Sequence, residues 1–323
     1  MKKIIIFLIL TVTMFSCYED YILDYDWDGV YFTYPIDVRT VVVGEGMQIK
    51  FGVSLAGVRN NDRDRIVDFQ LDNSLISQAT LDAMNGGPGY IQSSVSGVDQ
   101  LKLLPSNYYT LSDNSKFVIK KDEHVGMVTL KVDSAKFLAD PATIMATYAL
   151  PVRITNADAD SVLENNDYAV IGLKYENMLF GNYWHGGVTE VKDAAGSVIE
   201  TQLYPTTIPS PDSKAWALKT TGPMTLVTNG VSDESSSSKD EFAITLSGGN
   251  VAISSMEGAS YEVMPDGTSS YNQAKLLQDR KIFLNYKYQK DGNWYHAKDT
   301  LTFRNRTRDG VNEWQDENPA NYN

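Results

Sequence analysis

The chain has 323 residues, 41 of them acidic and 28 basic, and a formal net charge of −13. That length exceeds one ordinary domain and predicts two. The acidic balance argues against nucleic acid as a partner, because phosphate binding needs concentrated Lys and Arg, and an acidic surface is also repelled by anionic lipid. In chain order, residues 1–17 come first. They run from Lys2 and Lys3 through an apolar stretch to Cys17, the layout of a secretory signal. The stretch is shorter than the ~20 residues of a spanning helix. Cys17 is the only cysteine, which excludes an intramolecular disulfide; its place at the end of an export signal suggests a lipid-attachment site. Residues 18–27 read as a segment that follows the anchor.

Period-two alternation begins soon after. Ile49, Phe51, Val53 and Leu55 alternate with Gln48, Lys50, Gly52 and Ser54, so every second side chain faces a core. The same period returns at Val67, Phe69 and Leu71, at Phe117 and Ile119, at Val128, Leu130 and Val132, and from Tyr148 to Ile154. Short strands with frequent turns over residues 28–176 predict a sandwich. Two short helices interrupt it: one from Asn73 to Met84, capped by Asn73 and stopped by Gly86-Gly87-Pro88, and one from Ser134 to Ala139.

A change of texture near Tyr175 predicts a second antiparallel β domain over residues 177–323. One hairpin runs through Phe242, Ile244 and Leu246, turns at Ser247-Gly248-Gly249-Asn250 and returns. A longer one carries Ile282, Leu284, Tyr286 and Tyr288 out, turns at Asp291-Gly292-Asn293 and returns from Trp294 to Phe303. Residues 232–240, SDESSSSKD, contain nothing apolar to bury and predict a mobile surface loop. The expected fold class is therefore all-β: an immunoglobulin-like β-sandwich followed by an antiparallel β domain. A closed barrel and a second sandwich would leave the same marks in that second half.

Few residues offer chemistry. The chain has three histidines, His124, His185 and His296. They read as a residue of a solvated turn, a structural hydrogen-bonding residue in a glycine-rich turn, and an exposed strand residue. No HExxH, nucleophile elbow, P-loop or dinucleotide glycine pattern is present. Asp62, Asp64 and Asp68 interleave with Arg63 and Arg65 and read as a self-neutralised loop. Asp158, Asp160, Asn165, Asn166 and Asp167 lack the glycine and terminal glutamate of an EF-hand. The expectation is a protein with no catalytic residues, metal or cofactor. Sugar binding would use aromatic faces with polar neighbours. Trp216 alternates with Leu218 and reads as core, Trp184 also reads as core, and Trp27 reads as docking the segment behind the anchor. Trp294 beside the hairpin turn, Trp314 in the polar C-terminal stretch and Tyr271 are the candidate glycan-binding residues. Tyr108 and Tyr109 read as sheet or corner tyrosines.

Several stretches resemble known families. Met14-Phe15-Ser16-Cys17 resembles the relaxed lipobox of Bacteroidetes, and Glu19 and Asp20 behind it resemble that phylum's surface-export signal. The resemblance implies a lipid anchor in the outer membrane and a body facing the cell exterior. LLPSNYYTL (103–111), FVIKKDEHVGMVTLKVD (117–133) and YALPVRITNAD (148–158) resemble the N-terminal domain of a family of Bacteroidetes surface lipoproteins of unknown function. That domain type also precedes endo-β-N-acetylglucosaminidases. The segment from GNYWHGG to TLTFRNRTRDGVNEW (300–314) resembles the β domain that often accompanies it. Family members sit mostly among polysaccharide-utilisation proteins beside SusC/SusD-type transporters, which implies glycan capture; the rival expectation is a structural or adhesive lipoprotein with a protein partner. Gly-Asn-Tyr-Trp at 181–184 resembles the opening of lipocalin-like barrels, which implies that Trp184 packs under an arginine of the last strand, Arg304 or Arg306.

Overall fold

The computed structural model describes residues 27–205, 212–236 and 239–316. Cys17 and the anchor segment lie outside the described residues. The chain is all-β, with 52% strand and 12% helix.

Two sheets face each other in the first half. One orders Ser161–Val162, Gly29–Tyr31, Gln48–Ala56, Val125–Val132 and Tyr109–Leu111; the other orders Ile36–Val42, Tyr168–Glu176, Tyr148–Ala157, Arg65–Leu71 and Lys116–Ile119. The first strands change sheet at Pro35, so Ile36–Val42 pairs in parallel with Tyr168–Glu176 while Gly29–Tyr31 stays antiparallel to Gln48–Ala56. This is the immunoglobulin-like sandwich that the alternation predicts. Its core takes most of the predicted inward positions: Phe51, Val53, Val67, Phe69, Phe117, Ile119, Val128, Leu130, Leu150 and Val152 are all buried, whereas Leu71, at the end of its strand, is 40% exposed. Phe117 is the hub, with Phe32, Phe51 and Phe69 at ring distances of 5.8, 5.7 and 4.5 Å.

The expected helix from Asn73 to Met84 is instead a 3-10 turn, Asn73–Leu75, capped by Asp72, and a helix α1, Gln78–Asn85. Ser77 supplies the α1 cap by accepting from Thr80 N, a stronger start signal than Asn73 because its hydroxyl meets an otherwise orphaned amide. A further helix, α2, Gly89–Ser94, follows Pro88. Leu81 and Met84 of α1 and Ile91 of α2 cover the outer face of the second sheet at Val38, Ala149 and Val170. The last helix, α3, Ser134–Ala139, has the expected bounds, with Asp133 as its cap.

The second half is one antiparallel sheet that closes on itself. Its strands run Gly181–Lys192, Lys214–Gly222, Thr225–Thr228, Phe242–Ser247, Asn250–Ser255, Ser269–Tyr271, Lys281–Lys290 and Asn293–Arg308. The last returns to the first from Asn182↔Asn305 to Lys192↔Trp294. The result is an eight-stranded barrel, a size at which side chains fill the interior. Tyr183, Trp216, Leu226, Phe242, Ile244, Ile282, Leu284, Tyr286 and Leu301 do so. Both predicted hairpins are present, and the longer turns on Asp291 and Gly292 at positive φ (50° and 81°), the geometry that makes Asp-Gly a hairpin signal. Trp216 is fully buried as expected, against Gly230, where even a Cβ would stand 2.2 Å from the indole.

The end of the barrel beside the sandwich is plugged. Glu45, on a turn between Gly44 and Gly46, reaches into it. Its carboxylate accepts from Arg280 Nη2 at 2.8 Å and from Arg306 Nη1 and Nη2 at 2.9 and 2.8 Å. Both arginines are 1% exposed; Arg306 Nε also donates to Glu313, and Arg280 to the Met178 and Lys275 carbonyls. The Glu45 carboxyl feels burial pushing it up, but the two arginines outweigh this and hold it below its ordinary value.

Candidate functional site

Among the described residues the other end of the barrel is open. The first strand, Gly181–Lys192, is too long for one neighbour on that side: its first half pairs with Lys214–Gly222 and its second half with Val198–Tyr204. Val198–Tyr204 has no strand on its outer edge among the described residues. Opposite it, Gly230–Val231 and Glu234–Ser235 form a small hairpin. Between them lies a cavity of about 700 Å³, lined by Gln202, Tyr204, Tyr288 and Tyr295 and rimmed by Glu200, Asp212, Lys214, Asp233, Glu234 and Lys290.

Strand alternation explains the lining. On Lys281–Lys290 the inward positions Ile282, Leu284, Tyr286, Tyr288 and Lys290 pass from aliphatic to phenol to ammonium towards the mouth. Tyr295 comes in from the partner strand directly opposite Tyr288, and the two rings stack at 5.0 Å and 22°. Tyr261 lies on the other side of Tyr288, at 4.8 Å. Lys290 Nζ is 5.7 Å from the Tyr261 ring and 2.7 Å from Glu234 Oε1. Lys214 Nζ pairs with Asp233 Oδ1 at 2.8 Å.

From the mouth a chain of hydrogen bonds runs into the barrel. The Tyr204 hydroxyl donates to Thr189 Oγ1 at 2.8 Å, and Thr189 donates to Ser232 Oγ at 3.1 Å. Ser232 N donates to the Tyr286 hydroxyl at 2.6 Å, which donates to Asp299 Oδ2 at 2.6 Å. Burial and the Asp299 charge hold the Tyr286 phenol well above its ordinary value, and burial pushes Tyr204 up to about 12. These phenols therefore stay protonated donors at neutral pH. His185 lies beyond the end of this chain, with Nε2 3.2 Å from Asp299 Oδ1 and its ring stacked on Trp216 at 4.3 Å and 10°. It lies on a strand inside the barrel rather than in a glycine-rich turn, and neither ring nitrogen makes a hydrogen bond among the described residues.

The three aromatic residues singled out from the sequence do not converge. Trp294 stands at the mouth end but on the outer wall, with Lys287 Nζ 5.5 Å from its ring. Trp314 is 58% exposed beyond the pairing of Glu313 with Arg306, so about 35 Å separate the two along the strand. Tyr271 packs against the barrel core. The sequence identified the hairpin that carries Tyr288 and Tyr295 but not its inward face at the turn end. The change from Ile and Leu to Tyr and Lys along one face was the available signal.

Other expectations are corrected locally. Trp184 is not core: it lies half-buried on the outer wall with Arg304 Cζ 4.5 Å above its ring, as the resemblance to lipocalin-like barrels implies. His296 is not simply exposed, because Nδ1 pairs with Asp266 Oδ2 at 2.6 Å. Residues 232–236 are not a loose loop: Ser232 is 2% exposed inside the barrel. His124 does sit in a turn, with Nε2 3.2 Å from the Val58 carbonyl. Arg63 pairs with Asp158, Lys120 with Asp64, and buried Arg65 with Asp28. Tyr108 and Tyr148 donate to Asp140, the corner role expected of Tyr108. Among the described residues no group of three His, Cys, Asp or Glu could hold a metal ion.

Comparison with known proteins follows this architecture. Residues 25–161 match a family model described as an N-terminal domain. A crystal structure of a protein of unknown function from Bacteroides ovatus superposes with a TM-score of 0.62 at 19% identity, covering 91% of this chain and 99% of that one. At that identity the likeness shows a shared fold. A second Bacteroides ovatus structure of unknown function gives a TM-score of 0.43 at 10% identity over 90% of this chain and 100% of its own. No curated protein matches the chain.

Proposed function

We propose that the protein is a non-catalytic, lipid-anchored lipoprotein of the outer membrane, facing the cell exterior, that captures glycans in the open mouth of its barrel for a polysaccharide-utilisation system with a SusC/SusD-type transporter. The observation that carries the binding reading is the mouth itself: a cavity of about 700 Å³ lined by Tyr204 and Tyr295, with a rim of carboxylates, ammoniums and an amide. A pyranose presents apolar C–H faces and a belt of hydroxyls, and such a site matches both. The signal ending at Cys17 supports the anchor, and the family resemblance of the two halves supports the setting. This moves the expected site from Trp294, Trp314 and Tyr271 to Tyr295, Tyr204 and their polar neighbours.

A second reading, a protein partner, is favoured by one observation. Val198, Ile199 and Leu203 are 52, 55 and 79% exposed on the strand whose outer edge has no partner among the described residues, where an extended segment of another protein would add. A glycan array probed with the full chain separates the two. Glycan capture predicts a saturable hit that Tyr295→Ala weakens about tenfold, a loss of ~1.4 kcal/mol from a removed stacking face. A blank array with the chain folded, together with a protein partner lost on Leu203→Lys, would replace it.

A further inference from the structure

We infer that the chain pairs with a second copy of itself along the strand Val198–Tyr204. This strand is the edge of the second reading above, and self-pairing, which rests on that reading, names its occupant. Sheet edges are ordinarily protected from such pairing by lysine, proline or brevity. Here seven residues, Val-Ile-Glu-Thr-Gln-Leu-Tyr, contain neither lysine nor proline, and their outer edge has no partner among the described residues. Three aliphatic side chains on this one strand, Val198, Ile199 and Leu203, are each more than half exposed.

The side chains of the strand are arranged symmetrically about Thr201. Its register on Gly181–Lys192 sets Glu200 and Gln202 opposite the inward Val191 and Thr189, and Thr201 and Leu203 opposite the outward Glu190 and Val188. A bulge leaves Ile199 with no opposite residue, so Val198 and Ile199 stand together at the far end. Antiparallel pairing about a two-fold axis through Thr201 sets Ile199 of each copy against Leu203 of the other, and Glu200 against Gln202. Aliphatic meets aliphatic on the outer face, and carboxylate meets amide on the inner face, a contact that Gln202 and Glu200 already make within one copy at 3.1 Å. Neighbouring registers lose this match. An axis through Glu200 places two like charges directly opposite, one through Gln202 sets Leu203 against Thr201, and one between two residues turns the outer face of one copy to the inner face of the other. The contact is self-complementary, as a two-fold interface requires, and small, which makes it transient. Because the axis is normal to the sheet, the two sandwiches point in opposite directions.

The test is sedimentation velocity of the full chain over micromolar to millimolar concentration at near-physiological ionic strength, with small-angle scattering of the same samples. Self-pairing predicts a monomer–dimer equilibrium in that range and a dimer almost twice as long as the monomer. Ile199→Lys or Leu203→Glu alone should weaken the dimer about tenfold, since each sets a charge against an aliphatic side chain at two symmetric places. The two substitutions together should restore it, because an ammonium then meets a carboxylate across the axis. Both positions are exposed, so the fluorescence of buried Trp216 should stay unchanged in all three variants. A folded chain that stays monomeric throughout would overturn the inference, as would a dimer that the single substitutions leave intact or that the double substitution fails to recover. A monomeric chain that instead binds a foreign protein lost on Leu203→Lys would overturn self-pairing while leaving the second reading standing.

Discussion

Replacing Glu45 by Gln tests whether the two halves of the molecule are held by a buried charge cluster. The Glu45 carboxylate is the shared acceptor of Arg280 and Arg306, all three nearly inaccessible. Gln keeps the shape and one acceptor oxygen but leaves two buried guanidinium groups facing a neutral amide. Removing one partner of a buried ion pair costs about 3–5 kcal/mol, because the remaining charge is stranded away from water. Arg306 retains Glu313, and Arg280 retains the Met178 and Lys275 carbonyls, which puts the expected loss near the lower bound, about 3 kcal/mol. Urea unfolding followed through the fluorescence of buried Trp216 measures it. A second substitution, Arg306→Met, made on top of Glu45→Gln should cost less than it does in the wild-type background, since one of the two stranded charges is then gone. A loss below about 1 kcal/mol for Glu45→Gln, or strict additivity of the pair, would show that solvent or rearrangement satisfies the arginines and that the cluster is not what plugs the barrel end.

Three further outcomes follow from local geometry. Because the folded-state value of Glu45 is depressed, its stabilisation is complete above the unfolded value of 4.5 and is lost as pH falls through the lower folded value; stability measured through this acidic window should fall less steeply in Glu45→Gln than in the wild type. Gly230→Ala drives a methyl to 2.2 Å from the Trp216 ring and should destabilise by about 1–3 kcal/mol, with a shift in Trp216 emission that an unstrained substitution would not give. Arg304→Ala removes the cation lying 4.5 Å from the Trp184 ring at an exposed position and should cost about 0.5–1 kcal/mol in urea unfolding; no measurable loss would mean that the arginine is held there without stabilising the wall.

What could be read from the sequence divides along the range of the interactions involved. Strand alternation is local, so Ile49 to Leu55, Val128 to Val132 and Ile282 to Tyr288 announce their buried faces without reference to any partner. The Asp291-Gly292 turn is equally local. Helix starts are nearly so, and the displaced cap at Ser77 reflects competition between two polar residues four positions apart. Closure is of another kind. It depends on Gly181–Lys192 finding Asn293–Arg308, and the clamp at the plugged end joins Glu45 to residues 235 and 261 positions away. Nothing periodic in either segment encodes those pairings.

The proposed site inherits this difficulty. Large aromatic residues near turns, such as Trp294 and Trp314, are correctly read as solvent-accessible, yet accessibility alone makes no site. A saccharide needs a concavity, and concavity exists only once the sheet has closed and the short strand Val198–Tyr204 has replaced Lys214–Gly222 along half of the first strand, leaving a gap in the wall. Tyr288 and Tyr295 are then inside by the same alternation that buries Leu284 and Ala297, but at a depth where the barrel is no longer filled. The residues of the proposed site are therefore core positions by pattern and rim positions by depth. Pattern is written in the local sequence, whereas depth is set by which strands meet and where each one ends.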